Sequence, residues 1–305
     1  MSADRDSRIV VSAIAAVLPS PEQPFASQVD PTPHLLVRKS RKYLSPQDDL
    51  AVVAAANALQ KANLTRGQLG ERAALAMCVG YLSFDRKDTD PVLAVSVEDD
   101  RFSMRRFSSE GMRKTHPLLT FRCLPNMPAF HVSVNFDLRG RYFCTYPTAA
   151  QTYAAIARAM DWIDDGEADT VLVGAVAHQR NFLVEHHLGR LEHPAPRELL
   201  RDAGAVMVIE RERAVIDRGA QPLIALERAA IEYAPRRPYE AGSEAPVDQW
   251  RTNGALDARD ERELGCAAPL VALAERLDAG RAGLWEHTMT TRDGATVRAR
   301  WEVLS

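Results

Sequence analysis

Residues 140–177 restrict the fold more than any other stretch, because a strand, a helix and a second strand follow each other there without interruption. The run from Tyr142 to Tyr146 has the aromatic and β-branched composition of a strand, and Pro147 and Thr148 supply a break and a helix cap. Residues 149–163 have helical character, and residues 169–176 are almost wholly apolar. Such an apolar run is typical of a parallel strand covered on both faces. The unit therefore predicts an α/β fold.

Apolar periodicity and turn residues divide the rest of the chain into predicted strands, helices and connections. Strands are predicted at residues 9–18, 73–79, 203–210 and 222–231, and a terminal hairpin at 283–290 and 296–304 with its turn at 292–294. Helices are predicted at residues 49–62, 126–136, 211–218 and 260–279. Alanines make the 49–62 helix narrow enough to pack closely against a neighbour. Residues 85–114 and 233–254 are charged or rich in turn formers, and they are expected to be an irregular excursion and a surface connection.

Charge and composition disfavour several classes of function. The chain has 38 Lys and Arg against 41 Asp and Glu, so no overall basic field attracts nucleic acid or an anionic membrane. No stretch approaches the roughly 20 apolar residues of a transmembrane helix, and the N-terminal apolar run lacks a preceding positive region. Four cysteines lie far apart without a CxxC pair. We expect a cytoplasmic protein with no membrane span, no signal peptide, no disulfide framework and no structural zinc.

Four segments, taken in order, carry a family resemblance. They are LSPQDDLAVVAAANALQKANL at 44–64, LPNMPAFHVSVNFDLRG at 124–140, the strand-helix-strand unit at 141–176, and DAGAVMVIERERAVIDRGAQPLIAL at 202–226. Their succession resembles the β-ketoacyl synthase branch of the thiolase-like family, the condensing enzymes of fatty-acid and polyketide synthesis. The resemblance implies a layered α-β-α-β-α fold with residues 1–226 as its first half. Residues 227–305 are too few for the family's full second half, so a shortened one that completes the same domain is expected.

The chain departs from the family at the residues that perform condensation. Family members place a cysteine at the start of the long helix, where the helix N-terminus supports the thiolate and nearby amides bind the oxyanion. The corresponding phrase here is PTAAQ at 147–151, with Ala149 at the nucleophile position. The family also has two histidines in its second half, whereas ELGCAAP at 263–269 faintly resembles the flank of one such phrase without a histidine. The resemblance therefore implies a chain that is not an enzyme by itself, because alanine has no lone pair to attack a thioester.

Other side chains were candidates to replace the nucleophile. Cys144 and Cys266 have apolar neighbours in the sequence, which favours packing over reactivity, and the other two cysteines are similar. Gln151 lies two residues after Ala149, and some silent relatives use a glutamine amide to mimic the thioester carbonyl. A polar residue in a first helical turn more often bonds to its local surroundings.

The remaining motifs give no support for a metal or a cofactor. His178 and the pair His186-His187 lack an accompanying carboxylate and cysteine constellation, which favours ordinary surface or loop histidines. The glycines form neither a GxGxxG pattern nor a P-loop. No cofactor and no metal site are expected.

The resemblance also implies a two-fold dimer in which the strand before the long helix pairs across the axis. The interface residues implied are Tyr142, Phe143, Cys144 and Tyr146. The residues that match the end of the family's acyl tunnel are Leu118, Leu119, Met127 and Phe130. Apolar residues at helical spacing are equally what a packed core requires, so a core role for these four stays open.

Polyketide systems contain a silent subunit of this type, the chain length factor, which joins an active ketosynthase and shapes the tunnel that limits product length. The first hypothesis is therefore a non-catalytic subunit that forms a heterodimer with an active β-ketoacyl synthase and meets an acyl carrier protein through that partner. A cysteine-independent malonyl-carrier decarboxylase or acyl transferase, dependent on Gln151 or His178, is the alternative. An acyl-binding scaffold without turnover is a third reading. Copurification with a ketosynthase, decarboxylation by the purified chain and a bound acyl group would distinguish them.

Overall fold

A large mixed β-sheet with helices on both faces organises the described residues. The computed structural model describes residues 7–20, 22, 28–84, 86–189, 197–234, 251–252, 255–256, 261–291 and 294–304. The strands are β1 Ile9–Val17, β2 Ala73–Val79, β3 Val97–Glu98, β4 Arg101–Phe102, β5 Tyr142–Thr145, β6 Thr170–Ala177, β7 Ala203–Arg211, β8 Ile224–Ala225, β9 Ala230–Tyr233, β10 Arg251–Thr252, β11 Ala255–Leu256, β12 Gly283–Thr290 and β13 Ala295–Val303. The main helices are α1 Pro46–Lys61, α2 Arg86–Ser96, α3 Met127–Phe136, α4 Ala149–Asp164, α5 Phe182–Gly189, α6 Glu212–Asp217 and α7 Ala268–Asp278.

Strand order decides where functional side chains meet. The sheet runs β11-β10-β12-β13-β8-β1-β7-β6-β2-β5, with β9 paired to β13, and β3 and β4 form a separate two-stranded ribbon. Strand β2 is parallel to both β5 and β6, whereas β7 is antiparallel to β6 and to β1. The predicted β5-α4-β6 unit is confirmed, with β2 between its two strands. Strands β2, β5 and β6 consequently end at one edge of the sheet, and β7 begins there.

Helices cover the two faces of this sheet and bury an apolar cluster on each. Helices α1 and α3 pack on one face, and α4 and α7 pack on the other. Strand β2 divides its side chains between the clusters by the two-residue alternation of a strand: Leu75 and Met77 contribute to the first, and Ala74, Ala76 and Cys78 to the second. The continuous apolar runs in the sequence are therefore explained by burial on both faces.

The alanine-rich helix α1 approaches β7 closely, as the sequence indicates. A Cβ atom added to Gly204 would lie 2.9 Å from Cβ of Leu50 and 3.2 Å from its carbonyl oxygen. Ala54, Ala55 and Ala58 are all buried on the same helix. Small side chains on both elements therefore set the short distance between the helix and the sheet.

The second half of the chain extends the first sheet. Strand β8 pairs with β1 on one side and with β13 on the other, so the hairpin of β12 and β13 continues the same sheet. Among the described residues, the shortened second half therefore adds strands to the first sheet instead of building a sheet of its own. The expected α/β, thiolase-like class with a shortened second half is confirmed.

Several element boundaries were predicted closely, and three predictions were wrong. Residues 86–114 form α2, a short ribbon and a helical stretch at 104–114 that widens at Phe107–Gly111, not an irregular excursion. The predicted strand at 222–231 is two short strands, β8 and β9. The predicted helix at 260–279 is interrupted, because Gly265 adopts a left-handed φ of 56° between Glu261–Leu264 and α7. Of the predicted turn, residues 292–293 lie outside the described residues, as does most of the 233–254 connection.

Candidate functional site at the carboxyl end of the parallel strands

The turn from β5 into α4 lies at the sheet edge where the parallel strands end. A cis peptide bond joins Tyr146 to Pro147, and Thr148 precedes the helix in an extended conformation, with φ −93° and ψ 158°. Ala149 is then the first residue of α4. The structure thus places Ala149 at the N-terminus of the long helix, as the sequence predicts, where backbone N–H groups and the helix dipole favour negative charge.

Ala149 is fully buried, and a later segment of the chain is hydrogen-bonded to the same helical turn. The thiol of Cys78 donates to the carbonyl oxygen of Thr148 at 3.5 Å. The hydroxyl of Thr152 donates to the carbonyl oxygen of Cys266 at 2.7 Å, and the thiol of Cys266 donates to that of Val176 at 3.3 Å. The Gly265–Ala267 turn is therefore fastened to the first turn of α4.

The four cysteines are free, and their surroundings oppose reactivity. Burial raises the pKa of Cys123 and of Cys144 to about 11. Burial also opposes ionisation of Cys78, although hydrogen bonds involving Cys266, Thr145 and Thr152 lower its pKa overall. Cys78 and Cys266 are completely buried, so neither thiol is accessible to a bulky electrophile.

Gln151 occupies the first turn of α4, two residues after Ala149. Its N–H donates to the Thr148 carbonyl oxygen at 3.0 Å, and its carbonyl accepts from the Thr145 hydroxyl at 3.2 Å. These bonds fix the backbone of the turn. A carbonyl-mimicking role for its half-buried side chain stays a prediction.

A polar cluster lies at the same edge of the sheet as the elbow, the turn from β5 into α4 at residues 146–149. His178 directly follows β6, Ser83 comes four residues after β2, and Asp202 directly precedes β7. The Nδ1 atom of His178 is 3.1 Å from the Ser83 hydroxyl oxygen, and Nε2 is 3.8 Å from Oδ2 of Asp202. His178 therefore lies in a loop, as the sequence favoured, and its ring belongs to a polar cluster there. Ser83 and Asp202 were missed, although their positions at the ends of predicted strands on this edge were a usable signal.

His187 and His287 lie against aromatic side chains. The ring of His187 lies 5.1 Å from that of Tyr81. His287 is buried beside Trp285 and hydrogen-bonds through Nδ1 to the hydroxyl of Tyr153, one turn of α4 beyond Ala149. Burial lowers the pKa of His287 to about 4, so its imidazole is neutral at physiological pH.

The residues matched to the tunnel end are spread between core and surface. Met127 is buried, and Leu118 and Leu119 are partly exposed. Phe130 is 51% exposed on the outer side of α3, next to the exposed Val134 four residues later. A core role is therefore wrong for Phe130. Its exposure leaves it available to a partner chain, and the tunnel assignment stays a prediction.

Strand β5 forms one end of the sheet and presents aromatic side chains to solvent. It pairs with β2 on one side, and no strand among the described residues pairs with its other side. Tyr142 is 65% exposed and Tyr146 60%, while Phe143 and Cys144 are half-buried. An unpaired strand edge of this kind is a template for another chain.

The described residues contain neither a cluster of metal ligands nor a helix that could span a membrane. Over the described part of the chain, no three His, Cys, Asp or Glu side chains come together as metal ligands would. None of the helices described above combines the length and the apolar character needed to cross a bilayer.

Comparison with known proteins gives one family match and several structural matches. The family model described as "Beta-ketoacyl synthase, N-terminal domain" matches residues 4–190. No curated protein matches the sequence. One similar structure is "AntDE:AntF (apo): type II PKS acyl-carrier protein in complex with its ketosynthase bound to the hexaketide", with TM-score 0.71 and 14% identity over 97% of this chain and 99% of that one.

Two further structures have the same fold. A β-ketoacyl synthase from Burkholderia phymatum STM815 aligns with TM-score 0.66 and 13% identity, over 98% of this chain and 100% of its own. "The ishigamide ketosynthase/chain length factor" aligns with TM-score 0.67 and 13% identity, over 98% of this chain and 99% of its own. At such identities the likeness concerns the fold.

Proposed function

The chain belongs to the β-ketoacyl synthase family, and from that premise we propose that it is a non-catalytic, chain-length-factor-like subunit. In this role it forms a heterodimer with an active β-ketoacyl synthase and shapes the acyl tunnel during polyketide or fatty-acid-type chain elongation. One of the structural neighbours is itself a ketosynthase/chain length factor, which supports the proposal at the level of the fold.

The buried alanine at the elbow carries the proposal. Condensation needs a thiolate at the N-terminus of the long helix, and Ala149 offers only a methyl group there. That methyl group is buried, and Thr152 in the same helical turn hydrogen-bonds to Cys266 in the Gly265–Ala267 turn. In this proposal the chain lacks the nucleophile, so any elongation it serves takes place on another subunit.

The open edge of β5 supports a partner chain. Its unpaired N–H and C=O groups can extend the sheet into a second subunit, and the exposed Tyr142 and Tyr146 flank that edge. Aromatic side chains are enriched in the cores of protein interfaces. Phe130 and Val134 lie on one exposed face of α3, so in this proposal they face the partner's acyl tunnel.

The remaining assignments follow from the same proposal. The acyl carrier protein delivers its chain to the active partner, and this subunit contacts it only through the complex. The complex is cytoplasmic. Residues 1–226 are the ketosynthase-like half, and residues 227–305 complete the same domain.

The experiment is coexpression with a ketosynthase encoded beside this chain, followed by affinity copurification and size determination. We expect a stable heterodimer that elongates carrier-bound acyl chains. The variant Tyr142→Asp should weaken the heterodimer on the order of tenfold or more, because a charge replaces an interface aromatic side chain. Tyr233→Asp is the matched control, since Tyr233 is 66% exposed on β9, away from the β5 edge.

Two results would overturn the proposal. One is a well-behaved monomer that binds no ketosynthase. The other is condensation of carrier-bound thioesters by the purified chain alone.

A further inference from the structure

Ser83, His178 and Asp202 form a side-chain relay that the cysteine chemistry of the family does not use. We propose that these residues are a serine-based acylation site, in which Ser83 accepts a small acyl group from a thioester or an activated ester. The inference goes beyond the proposed function, in which the chain is non-catalytic only for condensation. It does not depend on that function, because its test requires neither the heterodimer nor a carrier protein.

The topology of the sheet brings the three residues together. Strands β2 and β6 are adjacent and parallel, so the loops that follow them, with Ser83 and His178, leave the same edge. Strand β7 is antiparallel to β6, with Ala203 opposite Ala177, so Asp202 lies next to His178 at that edge. Carboxyl ends of parallel strands are the usual place for ligand sites in α/β sheets.

Hydrogen bonds fix the direction of the relay. The amide nitrogen of Gln47 donates to the Tyr81 carbonyl oxygen at 2.5 Å and to the Ser83 hydroxyl oxygen at 3.2 Å. Because the Tyr81 carbonyl only accepts, the amide group, not its oxygen, must face Ser83. The Ser83 hydroxyl is then left to donate its proton to Nδ1 of His178, 3.1 Å away. This is the arrangement of a nucleophile with its general base.

Asp202 holds the imidazole in the matching tautomer. It is fully buried, and its Oδ1 accepts from the backbone N–H of Gln179 at 2.8 Å and of Arg180 at 3.2 Å. Its Oδ2 lies 3.8 Å from Nε2 of His178. The carboxylate therefore favours a proton on Nε2, which leaves Nδ1 as the base. A distance longer than a hydrogen bond is common before substrate binds, because catalytic contacts tighten in the complex.

Ser83 and His178 of the relay are more exposed to solvent than Ala149 at the elbow. Ser83 and His178 are partly exposed, whereas Ala149 is completely buried. The rings of Phe84 and Phe182 lie 6.3 Å apart beside the serine, and this apolar wall suits a short acyl chain. The Gln47 amide, already at the Ser83 oxygen, is a donor next to the position where negative charge develops.

The chemistry follows from these positions. The Ser83 oxygen attacks the thioester carbonyl carbon while its proton passes to Nδ1 of His178. The carbon–sulfur bond then breaks, and the departing thiolate takes the proton from His178. An acyl ester remains on Ser83. A water molecule then gives a proton to His178 as its oxygen attacks the ester carbonyl carbon. The bond between that carbon and the Ser83 oxygen breaks, His178 returns the proton to the Ser83 oxygen, and the carboxylic acid leaves. Ser83 and His178 are catalytic residues in this scheme, and Asp202 is a positioning residue.

The test uses p-nitrophenyl acetate and the N-acetylcysteamine thioester of acetate with the purified full chain. We expect a burst of nitrophenol and an acetyl group that peptide mapping assigns to Ser83 with both probes. Ser83→Ala should abolish both signals. Ser109→Ala is the matched control, since Ser109 is an exposed serine that bonds only to backbone carbonyls in the described contacts, and this variant should retain them.

His178→Gln and Asp202→Asn test the relay itself. Loss of the general base in His178→Gln should slow acetylation of Ser83 about a hundredfold. Asp202→Asn keeps an oxygen for the Gln179 and Arg180 N–H groups, so the fold should persist while acetylation slows. Nitrogen chemical shifts of His178 should report a proton on Nε2 in the native chain and a shift towards Nδ1 in Asp202→Asn, which a purely structural role would not produce.

Two outcomes overturn the proposal. One is acetylation that maps to another residue or persists in Ser83→Ala. The other is equal acetylation of Ser83 in the native chain and in a folded His178→Gln. If His178→Gln fails to fold, Ser83→Ala decides by itself, because it removes one hydroxyl group from a partly exposed loop.

Discussion

At the scale of single residues, the proposed function depends on Ala149, the buried first residue of α4. Its side chain carries no nucleophilic atom, and Thr152 in the same helical turn hydrogen-bonds to Cys266. In that proposal the missing thiol and the burial support each other, because a site that no substrate enters has no use for a thiol. Restoring the sulfur alone should therefore not restore the reaction.

The variant Ala149→Cys tests this view. Its thiol should react with iodoacetamide at least about tenfold more slowly than the thiol of Ser109→Cys, an exposed control, because a buried thiol is inaccessible. Peptide mapping distinguishes the new cysteine from the native ones. Rapid alkylation at position 149, or condensation by the variant, would show that the elbow is open.

A second feature at this scale is a buried carboxyl group in the first turn of α1. Asp48 forms a capping box with Ser45, in which the Ser45 N–H donates to Oδ2 at 2.5 Å. Its Oδ1 is buried without a hydrogen-bond partner among the described contacts. Burial raises the pKa of Asp48 to about 8. The pKa of the folded state thus exceeds the unfolded value, so the contribution of Asp48 to stability is fully present below about pH 4 and is lost as the pH rises through about 8.

Asp48→Asn should flatten this decline. Its amide oxygen can still accept from Ser45, and it has no charge to bury, so the slope that one shifted proton contributes, at most about 1.4 kcal/mol per pH unit, disappears. Urea unfolding at about pH 5 and about pH 8.5 measures the difference. Exposed Asp90→Asn is the control. An unchanged pH dependence in Asp48→Asn would mean that Asp48 is ionised in the folded chain.

At the scale of elements, apolar patterning predicted the strands and long helices, because burial requires apolar residues at positions that the sequence shows directly. Strand β2 was predicted at its observed bounds, and α4 within one residue of its end. Charged surface elements lack such a pattern of apolar residues. Helix α2 contains Pro91 and is largely exposed, so its composition resembled an irregular loop. The break at Gly265 depends on a backbone angle that composition does not encode.

Gly204 gives a prediction at this scale. A methyl group in Gly204→Ala would lie 2.9 Å from the Leu50 Cβ atom and press on the backbone of α1, so the variant should lose about 1–3 kcal/mol of unfolding free energy. Gly67→Ala is the matched control, because no atom lies within 4 Å of its added Cβ. Urea unfolding compares the two. A Gly204→Ala variant as stable as the control would mean that α1 moves away from β7 without cost.

At the scale of the whole molecule, the last hairpin belongs to the same core as the elbow helix. Trp301 on β13 stacks against Trp285 on β12 at 5.0 Å between ring centroids, and it lies 5.7 Å from the ring of Tyr153 on α4. The shortened second half therefore packs against α4 and stabilises the first half of the chain through that contact. This packing could not be predicted from the sequence, since contacts between distant segments leave no local pattern. The same is true of the proximity of Ser83 to Asp202.

Trp301→Ala tests whether residues 227–305 complete one domain. It should cost about 3–5 kcal/mol, as truncation of a buried aromatic side chain does, and it should lower the stability of the whole chain in one transition. Circular dichroism and tryptophan fluorescence should report the same midpoint. Leu284→Ala, partly exposed on the same hairpin, is the control. A separate early transition confined to fluorescence would contradict a single domain.

The position of β1 between β7 and β8 has a consequence for biosynthesis. On the ribosome, Val17 is made long before its partner Gly204, and at about 5–20 residues per second the wait is roughly 10–40 s. During that interval the nine-residue apolar strand IVVSAIAAV has no neighbour from its own chain. A nascent polypeptide with this order of pairing is exposed to aggregation, and holding chaperones would have to shield its first strand until the second half of the sheet is translated.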